Sequence, residues 1–295
     1  MITFIVPSYN QGRFIGYSLD SILAIMAPED QLIIADGASK DETIEVVKTY
    51  LSDPRIQFFS EPDRGFSDAV SKALKLATNP IVGIMSSDDA YVMGIRPLII
   101  DSFRDPKVGL IYGDYEVIDI NNKRLYSRYH KEGRLESFLS LRVLLPQSSV
   151  FFRRVLLEGL TILDSAHDYI ADVVLFNQIV VQCKVKWIPR VLSQVRSHSG
   201  SRTGKRNPGI QYIEAINTLF SHLSPRDRRL ARAGGYLLRA RYEASSGNRS
   251  QSLKSLGKAL KLDPFLPNHW LFYRTLLYLI FGPRAIDQLK RLCFG

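Results

Sequence analysis

The 295-residue chain is poor in cysteine, in long apolar runs and, over its last third, in acidic residues. Each shortage excludes something. Cys183 and Cys293 are the two cysteines; they are far apart, form no metal-ligand spacing and read as free thiols of a reducing compartment. No apolar stretch reaches the roughly 18 residues of a membrane span. The longest, Trp270 to Phe281, is short and interrupted by Arg274. Met1 runs into Ile2-Thr3-Phe4-Ile5-Val6 without a basic leader or cleavage site, so no export signal and a cytoplasmic location are expected. Residues 200–295 hold 5 Asp/Glu against 17 Lys/Arg, whereas residues 1–199 hold 24 against 22. The net charge of +10 therefore belongs to the tail. That argues against a nucleic-acid-binding core and points to a C-terminal surface facing something anionic.

What is present is a core-forming composition, 45% hydrophobic, with the grammar of an α/β fold. Strand-like segments at Ile2–Val6, Gln31–Ala35, Ile56–Ser60 and Ile81–Met85 alternate with helical patterns at Arg13–Ile25, Asp41–Leu51 and Phe66–Ala77. Such βαβα succession implies a mostly parallel sheet with right-handed crossovers and helices on both faces. Strands follow at Val108–Tyr112, Glu116–Ile120, Ser148–Phe152 and Val185–Ile188, with a helix over Asp168–Gln182. After the loop at residues 199–204 the chain reads as helices only. The expected division is an α/β domain over 1–203 and a basic helical extension over 204–295. Tyr236 to Pro264 resembles one tetratricopeptide unit, although a plain helical hairpin fits its partial pattern better.

The chemistry sits at strand ends. Ser86-Ser87-Asp88-Asp89 closes the fourth strand with two adjacent carboxylates, and such a pair repels itself unless a cation or donors face it. A helix cap for Ala90-Tyr91-Val92-Met93 is the competing reading. Pro7, which cannot donate to a ladder, should end the first strand, leaving Tyr9 and Asn10 at the same edge. Asp36 ends the second strand, and Glu61-Pro62-Asp63-Arg64-Gly65 follows the third. In open α/β sheets the carboxyl edge is where ligands bind.

Pro7-Ser8-Tyr9-Asn10, Asp36-Gly37-Ala38-Ser39-Lys40-Asp41, Glu61-Pro62-Asp63-Arg64-Gly65 with Asp68, and Ser86-Ser87-Asp88-Asp89 resemble, in order and spacing, the motifs of family-2 glycosyltransferases. Tyr112-Gly113-Asp114, Gln147-Ser148, Ala171-Asp172 and His198-Ser199 extend the match to about residue 203. The resemblance implies a GT-A fold and inverting sugar transfer from a nucleotide-diphosphate sugar, a UDP-sugar, to a polysaccharide or lipid-linked glycan. It implies that Pro7, Tyr9, Asn10 and Asp36 hold the nucleoside, and that Asp63, Gly65, Asp68 and Asp89 lie along the nucleotide sugar. Asp88 would coordinate Mg²⁺ or Mn²⁺ on the diphosphate, with His198 as a donor or further ligand. Ser86 stands where the family's DxD motif has its first Asp, which leaves more to Asp88. Asp172 is expected as the catalytic base, with Asp168 as a first-turn acid; the reverse allotment is open. Two alternatives stand beside this: a sugar-phosphate nucleotidyltransferase, and a non-catalytic nucleotide-sugar-binding module.

The segment 270–281, followed by Lys290-Arg291, suits a helix in the headgroup zone of an anionic membrane or one packed on the fold. A peripheral place on the inner face of the cell membrane is therefore left open.

Overall fold

The computed structural model describes residues 1–158, 160, 165–198, 207–220 and 222–294. They divide into two compact units. One is Met1–Glu132 with Leu145–Ser201; the other is Gly133–Leu144 with Arg202–Gly295. A simple split after residue 203 would miss the internal segment that joins the helical unit. The loop expected at residues 199–204 lies outside the described residues.

In chain order the elements begin β1 (Ile2–Ser8), α1 (Gly12–Leu23), β2 (Gln31–Asp36), α2 (Thr43–Lys48), β3 (Ile56–Ser60) and α3 (Phe66–Leu76). There follow β4 (Ile81–Ile84), β5 (Ala90–Tyr91), α4 (Arg96–Ser102), β6 (Val108–Ile118), β7 (Arg124–Arg128) and α5 (Leu135–Leu139). Then come β8 (Val150–Arg153), α6 (Ala171–Val180), β9 (Lys184–Arg196), α7 (Pro208–Thr218), α8 (Pro225–Ser245), α9 (Arg249–Leu262) and α10 (Trp270–Phe294).

Among the described residues nine strands form one sheet, ordered β3-β2-β1-β4-β8-β6-β9-β5, with β7 paired to β6. The first four are parallel, so all four deliver their carboxyl ends to one edge. Beyond β4 the pairing turns antiparallel at β8, and β6 and β9 run parallel to each other. Alternation in β1 explains the two-sided burial. Ile2, Phe4 and Val6 share a core with Ile15, Leu19 and Ile22 of α1, while the intervening residues face the other way.

Three sequence expectations are corrected here. Pro7 does not end β1, which runs to Ser8 with Pro7 in register with Ala35. Ile5 accepts the N–H of Met85 on the β4 side and Ser8 that of Gly37 on the β2 side. The missing N–H of Pro7 thus faces the β4 side, where pairing has already stopped at Ile5–Ile84. The strands expected at Val108–Tyr112 and Glu116–Ile120 are one strand, β6, whose register shifts near Gly113 and Asp114. β9 does not stop at Ile188: a bulge spanning Pro189 and Arg190 absorbs the proline, and the strand continues to Arg196.

The helical unit is α5 with α7 to α10. Leu237 and Ala240 of α8, Leu256 and Ala259 of α9, and Leu266 and Leu271 form its core. Asn248 caps α9 by accepting the Gln251 N–H, so the turn at Ser246-Gly247-Asn248 makes the expected helical hairpin. The internal segment is tied in by Tyr212, whose hydroxyl donates to the Leu139 carbonyl (2.8 Å). Arg142 pairs with the buried Asp263 (3.1 Å). His269 is buried beside the Ser140 carbonyl, and its Nδ1 accepts the Leu271 N–H. Helix α10 is broken at Gly282, at φ 77° and ψ 163°, before Pro283.

Candidate active site

The site begins where β1 and β2 end. Asn10 lies in the left-handed region at φ 52°, tolerable for Asn, and Ala38 does so at φ 59°. For Ala that conformation costs about 1 kcal/mol, the kind of strain that concentrates at ligand sites. The two turns are laced together: Asn10 N–H donates to Ser39 Oγ (2.8 Å), and Lys40 N–H donates to Asn10 Oδ1 (2.8 Å). Asp36 is buried and accepts from the Ser39 N–H, the Ser39 hydroxyl and the Ser60 hydroxyl. Tyr9 stands out beside them, 58% exposed, its ring presented to solvent. Pro7 itself is buried in the sheet and contributes backbone shape.

Asp63 follows β3 and accepts the Gly65 N–H (2.8 Å). It can approach only because residue 37 is glycine; a Cβ there would lie 2.6 Å from Asp63 Oδ2. Burial pushes the Asp63 carboxyl up, and the nearby charges of Asp68 and Asp168 push the same way. Asp68, in the first turn of α3, is raised by its own burial. The Arg64 N–H, Lys72 and the Arg64 guanidinium outweigh that and hold it below the usual carboxylate range. The acid that joins this cluster from later in the chain is Asp168. Its Oδ1 accepts the Ser67 N–H (2.7 Å), and its carboxylate lies against Gly65, where a Cβ would come within 2.7 Å. An α3 N-terminus with free N–H groups favours such an anion.

The helix expected over Asp168–Gln182 therefore starts later. Residues Ser165–Ile170 form a 3-10 turn, Ile170 has non-helical angles, and α6 begins at Ala171. The i,i+4 relation that would place Asp168 and Asp172 on one helix face is broken there. Asp168 caps α3 rather than its own helix, while Asp172 sits half-buried in the first turn of α6.

At the end of β4 the two adjacent carboxylates have separate environments. Asp89 is 5% exposed and accepts from the Ser148 hydroxyl and the Arg196 N–H. Burial, with Asp88 next to it, drives its carboxyl upward. Expected along the nucleotide sugar, the Asp89 side chain points into the protein, where it ties this turn to Ser148 and to β9. The cap reading also goes, since Ala90–Tyr91 is a strand paired with β9. Asp88 faces His198, with Oδ2 2.9 Å from Nε2. Ser86 accepts from Gln147 Nε2 (3.3 Å).

Arg196 braces this turn. Its Nε donates to the Asp88 carbonyl (2.8 Å) and Nη1 to the Asp119 carbonyl (2.7 Å), and the guanidinium lies over the Phe14 and Tyr17 rings. Ring Phe14 also packs on His198, with centroids 5.0 Å apart. One carboxylate and one imidazole converge here, and among the described residues no group of three or more His, Cys, Asp or Glu side chains does. Two protein ligands fit a divalent ion that takes its remaining oxygens from a substrate diphosphate.

Sequence reasoning brought Asn10, Asp36, Asp63, Gly65, Asp68, Asp88 and His198 to one edge. It missed what Ser39, Ser60, Ser148 and Arg196 bond to; Ser39 holds the nearby Asp36, but the partners of Ser60, Ser148 and Arg196 lie far away in the chain. The one signal for Arg196 was its place two residues before His198, on a strand whose length was underestimated.

The glycosyl transferase family 2 profile matches residues 3–160. An uncharacterized glycosyltransferase of Rickettsia typhi is 24% identical over 229 residues, covering 75% of this chain and 70% of that protein. The Escherichia coli UDP-Glc:alpha-D-GlcNAc-diphosphoundecaprenol beta-1,3-glucosyltransferase WfgD is 29% identical over 123 residues, 41% of this chain and 48% of its own. In fold, the chain resembles S. aureus TarS 1-349 in complex with UDP-GlcNAc at a TM-score of 0.65 and 15% identity, covering 99% of this chain and 91% of that one. The GT-A architecture, the strand-end motifs and the profile agree: the chain belongs to glycosyl transferase family 2.

Proposed function

We propose that this glycosyltransferase moves a hexose-type sugar from a UDP-sugar, with inversion, onto a hydroxyl of a polysaccharide or lipid-linked glycan. The observation that carries the reading is the shared edge. Four parallel strands deliver Asn10, Asp36, Asp63 and Asp88 to it, and Asp168 reaches it from 101 residues beyond Ser67. The names of WfgD and of the TarS complexes, with UDP-Glc, UDP-GlcNAc and UDP, support uridine as the nucleoside.

Tyr9 offers a ring for stacking on the base, and the Asn10–Ser39 turn shapes its pocket. Asp63 and Asp68 accept from ribose and sugar hydroxyls beside the α3 N-terminus. Asp88 and His198 would hold a Mg²⁺ or Mn²⁺ ion, which when bound neutralises charge growing on the departing diphosphate. In an inverting transfer a carboxylate takes the acceptor proton as the acceptor oxygen bonds to the anomeric carbon and the bond to UDP breaks. We assign that base to Asp168 in place of Asp172, because Asp168 accepts the Ser67 N–H and lies against Gly65 beside Asp63 at the shared edge.

UDP release from a panel of UDP-sugars tests the assignment. Asp168→Asn should lower kcat by about 10²–10⁴-fold with KM little changed, the scale of a lost general base; Asp172→Asn should stay near the parent rate. The reverse pattern returns the base to Asp172. Chelation with EDTA should suppress turnover and added Mn²⁺ restore it. Absence of UDP release from every donor would leave a binding module, the reading that Ser86 keeps in view.

A further inference from the structure

The first half of α10 is two-faced. Leu271, Thr275 and Tyr278 are buried in the helical unit. On the other side Trp270, Tyr273, Leu277, Ile280 and Phe281 are 41%, 58%, 45%, 64% and 56% exposed. At 100° per residue those five fall within an arc of about 100°, a continuous apolar stripe about three turns long. Phe265, 71% exposed in the turn before the helix, extends it. An isolated surface leucine means nothing; six large apolar side chains in one row mark an interaction surface.

Charge says what covers it. Arg274 lies beside the stripe with its guanidinium 5.5 Å from the Trp270 ring centroid. At the far end Arg284 is exposed just past the kink, and Arg249 approaches Gly282, where a Cβ would lie 3.5 Å from its Nη2. The segment 264–286 contains no acidic residue at all. Asp263, just before it, is buried against Arg142. An apolar row with Trp and Tyr at one end and arginines along its borders matches a lipid headgroup boundary, where rings sit at the interface and arginines reach phosphate. No helix among the described residues is long and apolar enough to cross a membrane.

We propose that this face of α10 lies in the surface of an anionic phospholipid bilayer, with Trp270, Tyr273, Leu277, Ile280 and Phe281 in the acyl boundary and Arg249, Arg274 and Arg284 on headgroup phosphates. The inference is independent of the transfer chemistry.

Flotation of the full chain with phosphatidylcholine vesicles, with and without phosphatidylglycerol, tests it. The chain should float with the anionic vesicles, less as salt is raised, and hardly with the neutral ones. The triple variant Tyr273→Ser, Leu277→Ser, Ile280→Ser changes only exposed side chains, so its melting curve and UDP release should match the parent. Its binding should fall by about tenfold or more. Arg249→Gln with Arg274→Gln and Arg284→Gln should reduce binding to anionic vesicles to the neutral level. In the unmodified chain, brominated phospholipid should quench the exposed Trp270, a readout needing no variant. A chain that stays unbound to anionic vesicles at low salt overturns the proposal. So does a dimer in solution that the triple variant converts to monomer, which would give the stripe to a second copy.

Discussion

Arg196 shows how one side chain can serve a site without lining it. Its backbone N–H holds Asp89, its Nε holds the Asp88 carbonyl, and two aromatic rings cover its plane. Lysine has neither the planar fork nor the stacking surface. Arg196→Lys should therefore cost about 1.5–3 kcal/mol, the worth of hydrogen bonds to a charged group, and loosen the turn that carries Asp88. A urea melt and a donor titration check this: lower stability together with a raised KM for the UDP-sugar is expected. Asp88→Ala should abolish transfer, whereas Ser86→Ala, which removes one 3.3 Å bond from Gln147, should only dent it. The two adjacent carboxylates were visible in the sequence; their division of labour was not. Asp89 is held by Ser148 and Arg196, 59 and 107 residues away, and no local pattern encodes which of two neighbours turns inward.

At the scale of elements, the start of α3 is the joint on which the candidate base rests. Gly65 sits at φ 121°, a conformation that side chains rarely adopt, and its missing Cβ makes the room that Asp168 fills. Gly65→Ala should both strain the backbone, by about 1–2 kcal/mol, and push Asp168 away. The expected result is a lower melting temperature and a fall in kcat approaching that of Asp168→Asn, read in the same UDP-release assay. Periodicity gave α1 and α3 within a few residues, and short apolar runs gave the first four strands, of which β1, β2 and β4 are buried on both faces. It failed where register or a break decides. The bulge at Pro189 lets β9 run on to Arg196, and the irregular turn before α6 separates Asp168 from Asp172. Neither leaves a periodic trace, since one is a stumble in pairing and the other a change of helix type.

For the whole molecule, the helical unit carries its own pH sensitivity. His269 is buried, and that burial is the main cause of its pKa falling from 6.5 to about 4. The unfolded chain therefore takes up a proton below 6.5 that the folded chain refuses until about 4. Stability from this group is intact above 6.5 and declines as pH falls toward 4, by on the order of 3 kcal/mol in all. Urea melts across that range should show the loss in the parent, and His269→Gln should flatten the slope.

The segment Gly133–Leu144 has a consequence for how such a chain can change. The helical unit takes one strip from the middle of the sequence and the rest from its end, so it is not a cassette. A truncation after residue 201 would leave Phe138 and Leu139, both buried in the intact chain, without α8 and its neighbours to cover them. Exchanging tails with a relative would have to swap two separate stretches at once, and recombination at a single point would strand one of them.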